Sequence, residues 1–144
     1  MIQGLGHITF SVSNMKRSIE FYSTIFNSSP IVKGDKTAYF EVGGLWIALN
    51  LQKNISRTEI HESYSHIAFS VLPSDLHSLM QNLKEAHADI VQGRERNSSS
   101  EGESIYFRDP DGHLLEFHTG NLKQRLTHLQ QTNPSILTTD HYGE

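Results

Sequence analysis

The chain has 144 residues, with 12 Lys and Arg against 16 Asp and Glu for a net charge of −4, and 36% of its residues are hydrophobic. That length fits one compact unit or two small modules sharing an interface, and the absence of any basic run or stripe argues against a nucleic-acid partner. Cysteine is absent, which excludes disulfides and thiolate ligands and requires any thiol nucleophile to arrive with a substrate.

No charged-then-apolar leader opens the sequence, and no apolar run is long enough to cross a bilayer, so the expectation is a cytoplasmic protein without membrane association. In chain order, a first strand is predicted over 5–12, followed by a helix of about 13 residues from the N-cap Asn14, with Met15, Ile19, Tyr22, Ile25 and Phe26 at helical spacing. Short strands follow over 30–33, 37–42 and 45–51, the last two joined by Gly43-Gly44, a hairpin signal. After a polar linker over 52–63, the order repeats. A strand over 65–72 leads to a helix capped by Ser74 that carries Leu76, Leu79, Met80 and Leu83, then to strands near 89–95, 104–108 and 113–118. Asp109-Pro110-Asp111-Gly112 reads as the tight turn of the last hairpin, since its spacing does not fit a calcium loop. An amphipathic helix from Asn121 carries Leu122, Arg125, Leu126 and Leu129, and 132–144 is a polar tail whose His141 has no expected role. The chain thus reads as two βαβββ modules, an α+β protein, with modules at about 4–51 and 64–119 and a helix and tail over 121–144. Its modest apolar content favours burying further surface in a dimer.

The repeat is visible in the residues themselves. Gly6-His7-Ile8-Thr9-Phe10-Ser11-Val12 returns as Ser65-His66-Ile67-Ala68-Phe69-Ser70-Val71, so a histidine opens the same strand twice. Aligning the two hairpin turns sets Ala48 against Glu116, the one acid within the apolar run Leu114-Leu115-Glu116-Phe117. A buried acid without a partner is costly. Two imidazoles and a carboxylate are the ligand set of a divalent metal, and three protein ligands leave coordination open for a substrate. Arg94, Arg96, Arg125 and Tyr64, with Ser104 and Tyr106 alternating on one strand, are the guanidinium and hydroxyl groups that a compact dianion takes. The loop Ser98-Ser99-Ser100-Glu101-Gly102 is a hairpin connection by default, and its carbonyls and hydroxyls are equally suited to a hard cation.

These residues resemble the vicinal oxygen chelate superfamily, and in detail the fosfomycin-resistance thiol transferases. The stretches that carry the resemblance are GHITFSVSN, AYFEVGGLWIALN, SYSHIAFSV, GRERN and ESIYFRDPDGHLLEFHTGNLKQRL. The resemblance implies a domain-swapped homodimer in which His7 of one copy meets His66 and Glu116 of the other around Mn2+ or Mg2+. It implies addition of a low-molecular-weight thiol to the epoxide of fosfomycin. Arg94, Tyr64, Tyr106, Ser104 and Arg125 would then hold the phosphonate, with Arg94 preferred to Arg96 because GRER matches without a gap. Trp46 would pack the apolar end of the drug, Thr9 would reach the oxirane oxygen, Tyr39 would help to ionise the thiol, and Asn50 would line the pocket. SIEFY, GRER and ESIYF resemble the bacillithiol-using branch. Thr9 and Ser100-Glu101-Gly102-Glu103-Ser104 resemble the glutathione-using branch, whose loop binds K+, and L-cysteine is a further candidate thiol. Alternatives from the same fold are a fosfomycin epoxide hydrolase, with Glu41 the nearby carboxylate, and a metal-free antibiotic-binding protein.

Overall fold

The computed structural model describes residues 1–58, 63–133 and 135, so His141 and most of the polar tail lie outside the described residues. The first half starts where sequence chemistry places it. Strand β1 (His7–Val12) is followed by Asn14, which is extended in backbone and whose side-chain oxygen accepts the Arg17 amide at 3.0 Å, launching helix α1 (Met15–Phe26). Strands β2 (Val32–Lys33), β3 (Thr37–Val42) and β4 (Leu45–Leu51) follow. Gly43 and Gly44, at φ 59° and 77°, form the tight β3–β4 turn, which demands positive φ at both positions.

The second half runs β5 (His66–Ser70), helix α2 (Leu76–Glu85), β6 (Asp89–Val91), helix α3 (Ser98–Glu101), β7 (Ser104–Arg108), β8 (Leu114–His118) and helix α4 (Leu122–Thr132). Two expectations change here. Ser74 does not cap α2. Pro73, with its fixed φ, starts a 3-10 turn over Pro73–Asp75 that feeds α2 without any side-chain cap. The loop at 98–102 is instead a single helical turn, capped by Asn97, whose side chain accepts the Ser99 amide. Asn121 does cap α4, in a reciprocal capping box with Gln124.

Each module forms a four-stranded sheet, in the order β1-β4-β3-β2 and β5-β8-β7-β6, with the first-named pair parallel and the others antiparallel. Alternation along the strands separates two faces. Phe10, Val12, Ala38, Phe40, Ile47 and Leu49 join α1 residues Ile19, Tyr22 and Ile25 in a core that continues into Leu83, Phe107, Leu115 and Phe117 of the second module. One core therefore serves both modules, and truncating a fully buried aromatic such as Phe40 or Phe107 would cost about 3–5 kcal/mol.

A polar seam fastens the modules together. Tyr22 Oη, on α1, donates to Asp109 Oδ2 at 2.6 Å, and the Ser13 amide and hydroxyl donate to Asp111 at 3.0 and 2.5 Å. Asp109 Oδ1 also accepts the amides of Asp111 and His113, which shapes the β7–β8 turn. Arg57, from the linker, reaches the Ser11 carbonyl at 2.8 Å, the Gln52 carbonyl at 2.8 Å and Asp111 at 3.5 Å. Protein donors thus occupy both turn carboxylates, as befits a structural turn. Burial and the Asp109 carboxylate push the Tyr22 phenol well above its ordinary pKa, so it stays a donor.

Candidate active site

The sheet faces turned away from the core carry the candidate residues. In the first sheet, ladder pairing sets His7 opposite Trp46, Thr9 opposite Ala48 and Ser11 opposite Asn50, while β3 adds Glu41, Tyr39 and Thr37 in the same rows. The His7 ring lies 4.5 Å from Trp46, which is 42% exposed, and Tyr39 meets Trp46 edge-on at 5.2 Å. Thr9 and Asn50 line a hollow of about 470 Å³ together with Ser11, Lys36, Thr37 and Gln52. Lys36, which the sequence did not single out, brings a cation to the end of this face.

The second sheet repeats the pattern with different chemistry. Ala68 stands opposite Glu116 as Thr9 stands opposite Ala48, so the alignment of Ala48 with Glu116 is a real structural equivalence. Tyr106 completes the Glu116 row as Tyr39 completes that of Ala48. Glu116 is only 3% exposed, and His66 Nε2 lies 3.0 Å from its Oε2. His66 Nδ1 lies 2.8 Å from the Tyr64 carbonyl, which can only accept, so Nδ1 bears the proton. In the neutral ring the Nε2 lone pair then faces a carboxylate oxygen. A proton on Nε2 or a metal cation held by both atoms would satisfy this contact, and nitrogen and oxygen donors of this kind suit a divalent metal.

Around this pair stand donors. Ser104 Oγ donates to Glu116 Oε1 at 2.5 Å, Arg96 reaches the Tyr106 hydroxyl at 2.7 Å and Glu116 at 3.3 Å, and the Tyr64 and Tyr106 hydroxyls are 3.2 Å apart. Burial, and then the bond with Tyr64, push the Tyr106 phenol up to about 12, which keeps it protonated at neutral pH.

Arg94, expected at the anion, lines a hollow of about 220 Å³ with Tyr64 and Tyr106, but its guanidinium is engaged by an acid. It bonds Glu101 Oε1 at 2.7 Å, and Arg125 pairs with the same oxygen. His128 of α4 lies 3.3 Å from Glu101 Oε2, which also accepts the Asn97 amide. Glu101, buried in the α3 turn, is therefore the hub that engages the Arg94 and Arg125 guanidiniums, while Arg96 reaches Glu116. Arg94, with the Asn97 amide, holds the Glu101 carboxyl down at about 2. The loop was visible in the sequence, but the acid within it gave no sign of being its anchor.

Among the described residues of one chain, no three His, Cys, Asp or Glu side chains come together as a metal-binding group. His7 stays with Trp46, away from the His66–Glu116 pair. No helix among the described residues is long and apolar enough to cross a membrane.

The paired modules and this face define a class. Residues 4–117 match the model of the Glyoxalase/Bleomycin resistance protein/Dioxygenase superfamily, and the chain belongs to that family. Within it, the chain is 56% identical over 137 residues to the metallothiol transferase FosB of Shouchella clausii, covering 95% of this chain and 94% of that protein. Its fold is similar to the crystal structure of the fosfomycin resistance protein FosX from Listeria monocytogenes, with a TM-score of 0.77, 33% identity, and coverage of 89% of this chain and 99% of that one. A variant of that Listeria protein, solved with Mn(II) and 1S,2S-dihydroxypropylphosphonic acid, aligns at 34% identity and a TM-score of 0.74 over 89% of this chain and 98% of that one.

Proposed function

We propose that this protein is a metal-dependent thiol transferase that inactivates fosfomycin by adding a low-molecular-weight thiol, bacillithiol in preference to glutathione or L-cysteine, to the epoxide. The observation that carries this reading is His66 Nε2 held 3.0 Å from the buried Glu116 carboxylate, with Arg96 and two tyrosine hydroxyls beside it. The similarity to FosB metallothiol transferases supports the class of reaction.

The reading takes His66, Glu116 and, from a second copy of the chain, His7 as the ligands of Mn2+ or Mg2+. The exposed Trp46, Ile2, Leu5 and Ile31 are consistent with a partner covering the first sheet. Bound there, a divalent cation supplies Lewis-acid polarisation of the epoxide C–O bond and neutralises charge developing on its oxygen. Arg96, Tyr64 and Tyr106 bind the phosphonate by charge and hydroxyl donation. Arg94 lines a hollow with Tyr64 and Tyr106, and it pairs with Glu101 as Arg125 does. Ser104, expected to donate to the phosphonate, gives its proton to Glu116. On the first sheet, Trp46 packs the apolar end of the drug, Thr9 reaches toward the oxirane oxygen, Tyr39 assists loss of the thiol proton and Asn50 lines the approach. A K+ ion at Ser100-Glu101-Gly102-Glu103-Ser104 would share the Glu101 carboxylate with Arg94 and Arg125.

One observation favours a second reading. Glu41 is exposed in the row of His7 and Trp46, where a carboxylate can activate water, so hydrolytic opening is the competitor. The test is fosfomycin turnover followed by phosphorus NMR with Mn2+ or Mg2+, comparing bacillithiol, glutathione, L-cysteine and no thiol. An adduct dependent on one thiol is the expected result. A diol formed without thiol would move the reading to hydrolysis, and no product would remove fosfomycin as substrate.

A further inference from the structure

One row beyond the ligand positions, both sheets carry the same kind of pair. In the first, Asn50 stands between Ser11 and Thr37, and Thr37 Oγ1 donates to Asn50 Oδ1 at 3.4 Å. In the second, His118 stands between Ser70 and Ser104, with His118 Nδ1 2.8 Å from Ser104 Oγ. Only the second pair has an acid to act on, since Ser104 Oγ donates to Glu116 Oε1 at 2.5 Å.

The hydroxyl has one proton, and Glu116 receives it. Toward His118 the same oxygen is therefore an acceptor, and His118 Nδ1 carries the hydrogen. The other side of the imidazole is held by backbone. A Cβ at Gly120 would come within 2.6 Å of His118 Nε2 and 2.5 Å of the Glu101 carbonyl, so the ring sits in a slot that only glycine leaves open. The result is a directed chain, His118 Nδ1–H to Ser104 Oγ–H to Glu116 Oε1, that fixes one carboxylate oxygen and leaves Oε2 facing His66.

We infer that His118 is a positioning residue for the metal-binding carboxylate, acting through Ser104. Ser104 is in this arrangement an orienting hydroxyl for Glu116 and has no proton left for a phosphonate. The inference rests on the metal reading of His66 and Glu116 given above. Partners that orient a ligating side chain typically set about 10–100-fold in metal affinity.

The test is Mn2+ binding followed by electron paramagnetic resonance on the full-length protein without substrate, together with steady-state kinetics. His118→Leu is expected to weaken Mn2+ binding by about tenfold or more and to lower kcat, with KM for fosfomycin within about twofold. His118→Asn places an amide N–H where Nδ1–H stood, able to donate to Ser104 Oγ, and is expected to restore Mn2+ affinity to within about threefold of wild type. Ser104→Ala should match His118→Leu. A His118→Leu protein that binds Mn2+ like wild type overturns the inference, as does a His118→Asn protein as weak as the leucine variant. A Ser104→Ala protein that raises KM for fosfomycin while keeping full Mn2+ affinity overturns it too. Wild-type protein that takes up no Mn2+ overturns the metal reading itself, and this inference with it.

Discussion

Ala48 occupies in the first sheet the ladder position that Glu116 occupies in the second, each between a strand that a histidine opens and a tyrosine on the neighbouring strand. The duplication has kept the address and changed the chemistry. Replacing Glu116 with Gln keeps the shape and removes the charge that faces His66 Nε2. Glu116→Gln is expected to lower kcat/KM for fosfomycin by about 100-fold or more and to release Mn2+ during gel filtration, as measured by metal analysis of the purified variant.

The two arginines of GRER should separate cleanly in kinetics. Arg96→Ala removes the guanidinium that touches Tyr106 and Glu116, and it is expected to raise KM for fosfomycin by about 10-fold or more. Arg94→Ala instead frees Glu101, so its main effect should fall on the stability of the α3 turn, with a smaller change in KM. Hydrogen exchange over 97–102 beside steady-state assays would distinguish them, and the reverse pattern would return Arg94 to the phosphonate.

Glu101 gives a pH dependence with a definite sign. Its carboxyl is held at about 2 in the folded protein against an ordinary value of 4.5, chiefly by Arg94. The folded state therefore binds fewer protons than the unfolded state between those values, and the stabilisation present above pH 4.5 is lost as pH falls toward 2. Denaturant midpoints measured across pH 5 to 2 should fall less steeply in Glu101→Gln than in wild type.

Asp111 is the keystone of the seam. Removing its carboxylate in Asp111→Ala leaves the Ser13 amide and hydroxyl without their acceptor and takes from Arg57 its ion-pair partner, leaving that side chain only the Ser11 and Gln52 groups. Breaking a buried pair from one side costs about 3 kcal/mol, which urea unfolding would detect as a lower midpoint. An unchanged midpoint would mean that the linker arginine contributes nothing to holding the modules.

Much of this was legible in the sequence because it is written locally. Asn14 before Met15 and Ile19, and Gly43-Gly44 between alternating strands, announce their structures through nearest neighbours. His66 and Glu116 were legible through the repeat, which converts a distant pair into a comparison of two similar phrases. What was not legible depends on contacts between segments. Ser74 has the right chemistry for a cap, but Pro73 set the backbone one residue earlier. The choice between Arg94 and Arg96 turns on where Glu101 points, and the place of Arg57 depends on an aspartate in the opposite module. His118 sat in plain view in LEFHTG, yet nothing adjacent to it in sequence shows that it reaches Ser104 across a strand.

The separation of His7 from His66 and Glu116 has a genetic corollary on the paired-copy reading. A chain with His7→Ala and a chain with Glu116→Ala would each be inactive alone. Mixed after unfolding and refolding together, they would form heterodimers in which one of the two clefts draws an intact His7 from one chain and an intact Glu116 from the other. Two dead alleles would thus complement one another, whereas a ligand set confined to a single chain would give no recovery at any mixing ratio.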